Sequence, residues 1–210
     1  MNQTKEDFYI SSEDSYAFYK LFYEVSQLLE KNGIVYWITA GTFLGAVRSG
    51  GIIKWDDDID IMIPVEYREK LYKLFKDDDT FYVYSNIMCI THDKISYRNN
   101  DKIFIDVFYG SPNLLNGTIV FDHHNFICNY LWPNEYFYLD ELFPLRKYKF
   151  GAYEVFGPNK YVKFMEMNFS KSWNKEAVIS HSHSKKLIKK IVFMMKSEDY
   201  EPAKPFFIPK

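Results

Sequence analysis

The sequence predicts an α/β fold, a mixed sheet flanked by helices, on three observations. Residues 13–31 set Phe18, Leu21, Phe22, Val25, Leu28 and Leu29 at helical spacing, which gives one apolar face to a helix. Residues 58–63 and 102–109 alternate instead: Ile59, Ile61 and Ile63 against Asp58, Asp60 and Met62, then Ile103, Ile105 and Val107 against Phe104, Asp106 and Phe108. That two-residue period belongs to strands. Finally, 210 residues with 47% hydrophobic and 20% aromatic content can fill the core of one domain.

Taken in order, residues 1–12 read as a loose leader. Ser11 or Ser12 followed by Glu13 and Asp14 starts the first helix, with acids where the helix dipole favours them, and Asn32-Gly33 stops it. Tyr36 to Ala40 is a short β-prone run, and Gly41-Thr42 turns it into a helical segment over Phe43 to Val47, whose free N–H groups suit a phosphate. Pro64 ends the acidic strand, residues 66–76 read as a helix, and Asp77 to Asp79 mark a turn. Residues 81–98 read as two or three short strands with a turn around Asn86. A helix is expected over 121–131, and the aromatics around Tyr130, Trp132, Tyr136, Phe137 and Tyr138 are expected in the core. Residues 13–178 form the predicted domain, and 179–210 a C-terminal appendage. In that appendage Leu187, Ile188, Ile191, Val192 and Met195 oppose Lys185, Lys186, Lys189 and Lys190. This predicts a basic amphipathic helix over 185–196 that packs on the domain or, as the alternative, lies on a membrane surface. The proline-containing end, 197–210, should be extended.

Composition removes several function classes. A net charge of −2 and a pI near 6.2 supply no basic field for nucleic acid. Cys89 and Cys128 are isolated, without zinc or disulfide spacing, and read as small buried hydrophobes. The first sixteen residues lack a signal-peptide layout, and no apolar run reaches the roughly 18 residues of a membrane span, so a cytoplasmic location is expected. His123-His124 is expected to be structural, and His181 and His183 find no third ligand nearby that would make a metal site.

The chemistry concentrates in Gly41 to Ile61, GTFLGAVRSGGIIKWDDDIDI. Asp56, Asp57, Asp58 and Asp60 crowd five positions ahead of an apolar run, an arrangement that needs an offsetting positive charge, most simply a divalent metal. On a strand Asp58 and Asp60 share a face with α-carbons about 7 Å apart, within reach of one hard cation. A solvated acidic loop is the alternative. An EF-hand is excluded, because counting from Asp56 the sixth position is Ile61 rather than Gly and the twelfth is Tyr67 rather than Glu. Asp106, alone in an apolar strand, needs a donor or a metal of its own.

This stretch closely resembles the signature of the LicD family, which includes fukutin and the fukutin-related proteins. The match runs through Gly41, Thr42, Leu44, Gly45, Arg48, Trp55, Asp56, Asp58 and Asp60, and Lys54 replaces the usual Pro. Residues 102–109 resemble the family's Ile-Asp-x-Phe motif, with Tyr109 in place of Pro. Phe143, Pro144, Phe150, Gly151, Pro158 and Asn159 resemble its C-terminal block, where Asn168-Phe169 stands for the usual Tyr-Gly. The resemblance implies a nucleotidyltransferase-like fold and a metal-dependent enzyme. Such an enzyme moves a phosphorylated alcohol, such as phosphocholine or ribitol phosphate, from a CDP-linked donor to a glycan hydroxyl. It implies that Asp58, Asp60 and Asp106 hold Mg²⁺ or Mn²⁺, with Asp106 either ligand or base. Gly41 and Thr42 would contact phosphate, Arg48 and Lys54 would stabilise developing charge, Lys54 without support from the family pattern, and Lys94 would either meet a substrate phosphate or sit on a solvated face. Arg48 has a second reading, paired with Asp56 or Asp57 as scaffold. Two rival functions remain: a nucleotidyltransferase using a triphosphate with the same three acids, and a non-catalytic binding protein.

Overall fold

A computed structural model describes residues 3–85 and 92–209. The chain opens on α1 (Ser12–Lys31), whose N-cap Ser11 accepts the Asp14 backbone N–H. A short strand β1 (Trp37–Ile38) leads into α2 (Ala40–Arg48), then the acidic strand β2 (Ile59–Pro64) and α3 (Arg68–Phe75). Strands β3 (Phe81–Ser85), β4 (Asp93–Tyr97), β5 (Asn100–Leu115) and β6 (Thr118–His123) follow. After them come α4 (Phe126–Leu131), β7 (Phe137–Tyr138), α5 (Leu139–Leu142), the hairpin β8 (Arg146–Phe150) and β9 (Tyr153–Gly157), and α6 (Val162–Phe169). The chain closes with β10 (Glu176–Ile179) and β11 (Ile191–Met194).

Seven strands make the main sheet, in the order β1-β2-β5-β4-β3, with β6 and β7 added along the second half of β5. The β2–β5 pair is parallel and its neighbours are antiparallel, so the sheet is mixed, as expected. Register is what matters for the site. Asp60 stands opposite Asp106 across β2 and β5, and Lys94 stands opposite Asp106 from β4. Ile59, Ile61 and Ile63 are buried, with Ile103, Ile105 and Val107 beside them, so a slip of one residue would turn either acid into the core.

Aromatic side chains fill the space over the sheet. Tyr19 and Phe22 of α1 meet Phe150 edge-on at 5.4 Å each, and Trp37 meets Phe121 at 5.1 Å. The Tyr19 hydroxyl also accepts the Ile52 N–H at 2.9 Å, which ties the glycine-rich link ahead of the acids to the first helix.

Several expectations give way. The leader is not loose: Lys5–Phe8 forms a 3-10 turn, Phe8 is buried, and Lys5 pairs with the buried Asp199. The helix expected from Phe43 already starts at Ala40, with Ala40 at φ +44°, a left-handed conformation that costs a non-glycine residue about 1 kcal/mol. The helix expected over 121–131 divides into the end of β6 and α4, because the Asn125 side chain accepts the Ile127 N–H and caps a helix there. No helix forms over 185–196. Residues 191–194 alternate instead, Phe193 packing edge-on against Trp55 at 5.1 Å while Val192 and Met194 face outward, and they pair with β10. The membrane-surface helix loses its basis with it. Cys128 is buried as expected; Cys89 and the turn at Asn86 lie outside the described residues. Among the described residues no helix is long and apolar enough to cross a membrane.

Candidate active site

β2 brings its acids to the edge of a cleft of about 700 Å³, lined by Gly41, Arg48 and Trp55 on one side and by Trp132 to Glu135 and the end of α6 on the other. Its size suits a nucleotide-sized ligand.

The four clustered carboxylates take four different tasks. Asp56 lies against α2, where a Cβ on Gly41 would sit 2.7 Å from its Oδ2, so only glycine lets the helix start approach the acid. Burial, then the charge of Asp58, pushes the Asp56 carboxyl well above the usual carboxylate range. Asp57 is buried at the wall of the cleft. It accepts from the Ser182 and Ser184 hydroxyls at 2.8 and 2.6 Å and from the His183 and Ser184 N–H groups at 3.1 and 2.7 Å. Burial would raise that carboxyl, but these donors outweigh it and hold it below its ordinary value. Asp58 reaches outward and meets His183 Nε2 at 2.9 Å. That hydrogen bond, against the opposing effect of burial, raises the imidazole above its ordinary value. Asp60 is buried, and burial followed by the charges of Asp58, Asp106 and Asp56 drives its carboxyl well up.

Asp106 differs from Asp60, its neighbour across the strands. Lys94 Nζ lies 2.5 Å and His92 Nε2 3.1 Å from its Oδ1. Burial would raise this carboxyl too, but the two basic partners hold it below its usual range, so it stays ionised. Lys94 is fixed in turn by the Phe104 ring, 3.4 Å from its ammonium. Asp58, Asp106 and His183 each present an atom within 4.8 Å of the others; Asp60 stands opposite Asp106 on β2 and lines the same cleft. At such separations two carboxylates repel by roughly 3 kcal/mol near a protein surface. The donor set of hard carboxylate oxygens with one imidazole, crowded enough to push Asp56 and Asp60 up, fits a divalent cation.

The remaining expected contacts divide. Arg48 lines the cleft. Its Nη1 donates to the Trp173 carbonyl at 3.1 Å, its guanidinium lies 5.9 Å from the Trp55 ring, and its Nε has no acceptor among the described residues. Burial, partly offset by Asp56, brings it down to about 10, still charged at neutral pH. Thr42 is not a free phosphate hook: it is buried, and its hydroxyl accepts the Asp60 N–H at 2.8 Å, holding β2 against α2. Lys54 points elsewhere, donating to the Glu198 carbonyl at 2.6 Å. Sequence spacing gave no sign of Asp57's clasp, of His92, or of Glu135, which lines the cleft and is held 3.1 Å from the buried His123. Their partners lie on other elements, and no local period marks them.

The clasp makes a prediction. In Asp57→Ala four donors lose one charged acceptor, which should lower stability by roughly 2 kcal/mol and raise amide exchange over residues 180–190. Unchanged exchange there would mean that Asp57 does not hold this segment.

Comparison with known proteins follows this geometry. The family model described as LicD/FKTN/FKRP, nucleotidyltransferase domain, matches residues 33–160, more than half of the chain. An uncharacterised protein of Rickettsia typhi is 33% identical over 94% of this chain, and one of Rickettsia prowazekii is 32% identical over 93%. Ribitol 5-phosphate transferase FKRP of Homo sapiens is 27% identical over 68% of the chain. The chain spans 61% and 72% of the two Rickettsia proteins and 29% of FKRP. Among solved structures, lincomycin-bound lincosamide antibiotic adenylyltransferase LnuA aligns over 71% of this chain and 81% of its own, at 14% identity and a TM-score of 0.39.

Proposed function

The chain belongs to the LicD/FKTN/FKRP nucleotidyltransferase-domain family, and from that premise we propose that it is a metal-dependent phosphotransferase. It moves a phosphorylated alcohol, of the ribitol-phosphate or phosphocholine kind, from a CDP-linked donor to a glycan hydroxyl. One observation carries the reading: Asp60 and Asp106 stand opposite each other on parallel strands, with Asp58 lining the cleft and Lys94 paired to Asp106 from β4. Among transferases named as relatives, FKRP and FKTN carry ribitol 5-phosphate in their names.

Asp58, Asp60 and Asp106 would hold Mg²⁺ or Mn²⁺. Bound there, a divalent cation supplies neutralisation of the donor diphosphate as charge develops on it. Asp106 fits a ligand better than a proton acceptor, because Lys94 and His92 keep it ionised and weakly basic. Arg48, charged and lining the cleft, is suited to a phosphate oxygen at the cleft wall. Gly41 contributes the space through which the α2 N–H groups approach, whereas Thr42 acts by fixing the Asp60 backbone.

Thermal unfolding with Mg²⁺ and CMP, CDP-choline, CDP-ribitol, UDP-sugars or ATP tests this. A ligand at about 100 times its dissociation constant stabilises by roughly 2.7 kcal/mol, about 5 to 10 °C for a chain of this size. The expected result is a Mg²⁺-dependent shift confined to cytidine compounds. A shift selective for ATP would point to nucleotide transfer from a triphosphate, and no shift with any cytidine compound would count against the donor class.

A further inference from the structure

The sequence pattern predicts a helix over 185–196. Instead, residues 180–190 connect β10 to β11 and run past the acidic strand. Asp57 grips that connection on both sides of His183, through the N–H groups of His183 and Ser184 and the hydroxyls of Ser182 and Ser184. Farther along, Lys185 Nζ donates to the Tyr9 carbonyl, Gln3 Nε2 to the Lys186 carbonyl, and the Ile188 N–H to Gln3 Oε1. The Phe104 ring meets the imidazole edge-on at 5.3 Å. The backbone that carries His183 is therefore held by contacts that do not involve its imidazole, and the imidazole is aimed at Asp58.

We propose that His183 is a ligand of the metal centre, so that the cation is held by an imidazole nitrogen delivered from the β10–β11 connection together with the carboxylates of Asp58 and Asp106. The inference rests on the metal-dependent reading above and adds a nitrogen donor to its oxygen set. The three donor atoms lie within 4.8 Å of one another, and Asp57 holds the backbone that carries the imidazole. A site that joins an imidazole to carboxylates discriminates among cations. Mg²⁺ favours oxygen and water ligands, whereas Mn²⁺ accepts nitrogen readily. Binding should therefore favour Mn²⁺ over Mg²⁺, and that preference should shrink when the imidazole is removed.

Pulsed electron paramagnetic resonance of the full chain with Mn²⁺ tests it, because a directly bound imidazole imprints ¹⁴N modulation on the manganese signal. The wild-type complex should carry that modulation. His183→Gln, which leaves the Asp57 contacts to the backbone intact, should retain a normal melting curve, lose the modulation and bind Mn²⁺ about tenfold or more weakly. Bound Mn²⁺ without nitrogen modulation would overturn the proposal, and so would modulation that survives in His183→Gln, which would point to His92 beside Asp106. Failure of the wild type to bind Mn²⁺ at all would instead overturn the metal-dependent reading, and this proposal with it.

Discussion

Replacing Asp60 by Asn should cut turnover by about a thousandfold or more while leaving the fold standing. The first part follows from the proposed metal role, since one carboxylate that stabilises developing phosphate charge is worth at least as much as a single preorganised donor. The second follows from the surroundings of the side chain. Asp60 is buried among Asp58, Asp106 and Asp56, which together with burial push its carboxyl well up. The amide removes that repulsion, and the backbone N–H that binds Thr42 is untouched. The metal-free variant should therefore melt at or a few degrees above the wild type, roughly 1 kcal/mol more stable, and should no longer gain from Mg²⁺. Release of the nucleoside monophosphate from a CDP-linked donor, followed beside melting curves with and without Mg²⁺, reads both effects. Turnover near wild type would remove Asp60 from the metal site, and a collapsed melting curve would assign it a structural role instead.

The largest effect on stability is expected from Gly45→Ala. A Cβ at this position of α2 would stand 2.5 Å from the Gly51 carbonyl oxygen and 3.2 Å from Ile53 Cγ1. Backbone cannot rotate aside as a side chain can, and the Gly51 link has nowhere to retreat. A Cβ on Gly51 itself would lie 2.3 Å from the Tyr19 hydroxyl, and the Tyr19 hydroxyl accepts the Ile52 N–H. Relief must come from α2 moving off the link that carries Trp55 and Asp56. We expect a loss of about 2 to 4 kcal/mol, a melting temperature lower by roughly 5 to 12 °C, and a fall in activity as the acids lose their support. Gly117→Ala is the control, because its Cβ would meet nothing within 4 Å although its φ is +79°, so only the roughly 1 kcal/mol of a left-handed residue is at stake. Equal stability of Gly45→Ala and the wild type would show that the link is softer than its contacts indicate.

Much of the site's chemistry was legible without coordinates. Alternation around Ile59 and Ile105 identified the two strands and put Asp60 and Asp106 on their faces, and the helical spacing from Phe18 to Leu29 identified the helix that covers the sheet. These signals are local: a strand or an amphipathic helix declares itself within a few residues, because the periodicity of its apolar positions is set by its own backbone geometry.

What each side chain does with its neighbour was not legible. Four adjacent acids look alike in sequence, yet Asp57 clasps a segment about 126 positions away, Asp58 meets His183 from that segment, Asp56 packs beneath α2, and Asp60 lies buried opposite Asp106. Lys94 reaches Asp106 only because β4 pairs with β5 in one register. Lys54 turns to the Glu198 carbonyl, and the basic apolar stretch near the end becomes a strand because β10 and Trp55 offer it partners. By itself the sequence singled out the clustered acids as candidates for the chemistry, through spacing that any isolated segment already possesses. Only the tertiary structure decided which of them meet, because strand register and the packing of distant segments depend on contacts that no local pattern encodes.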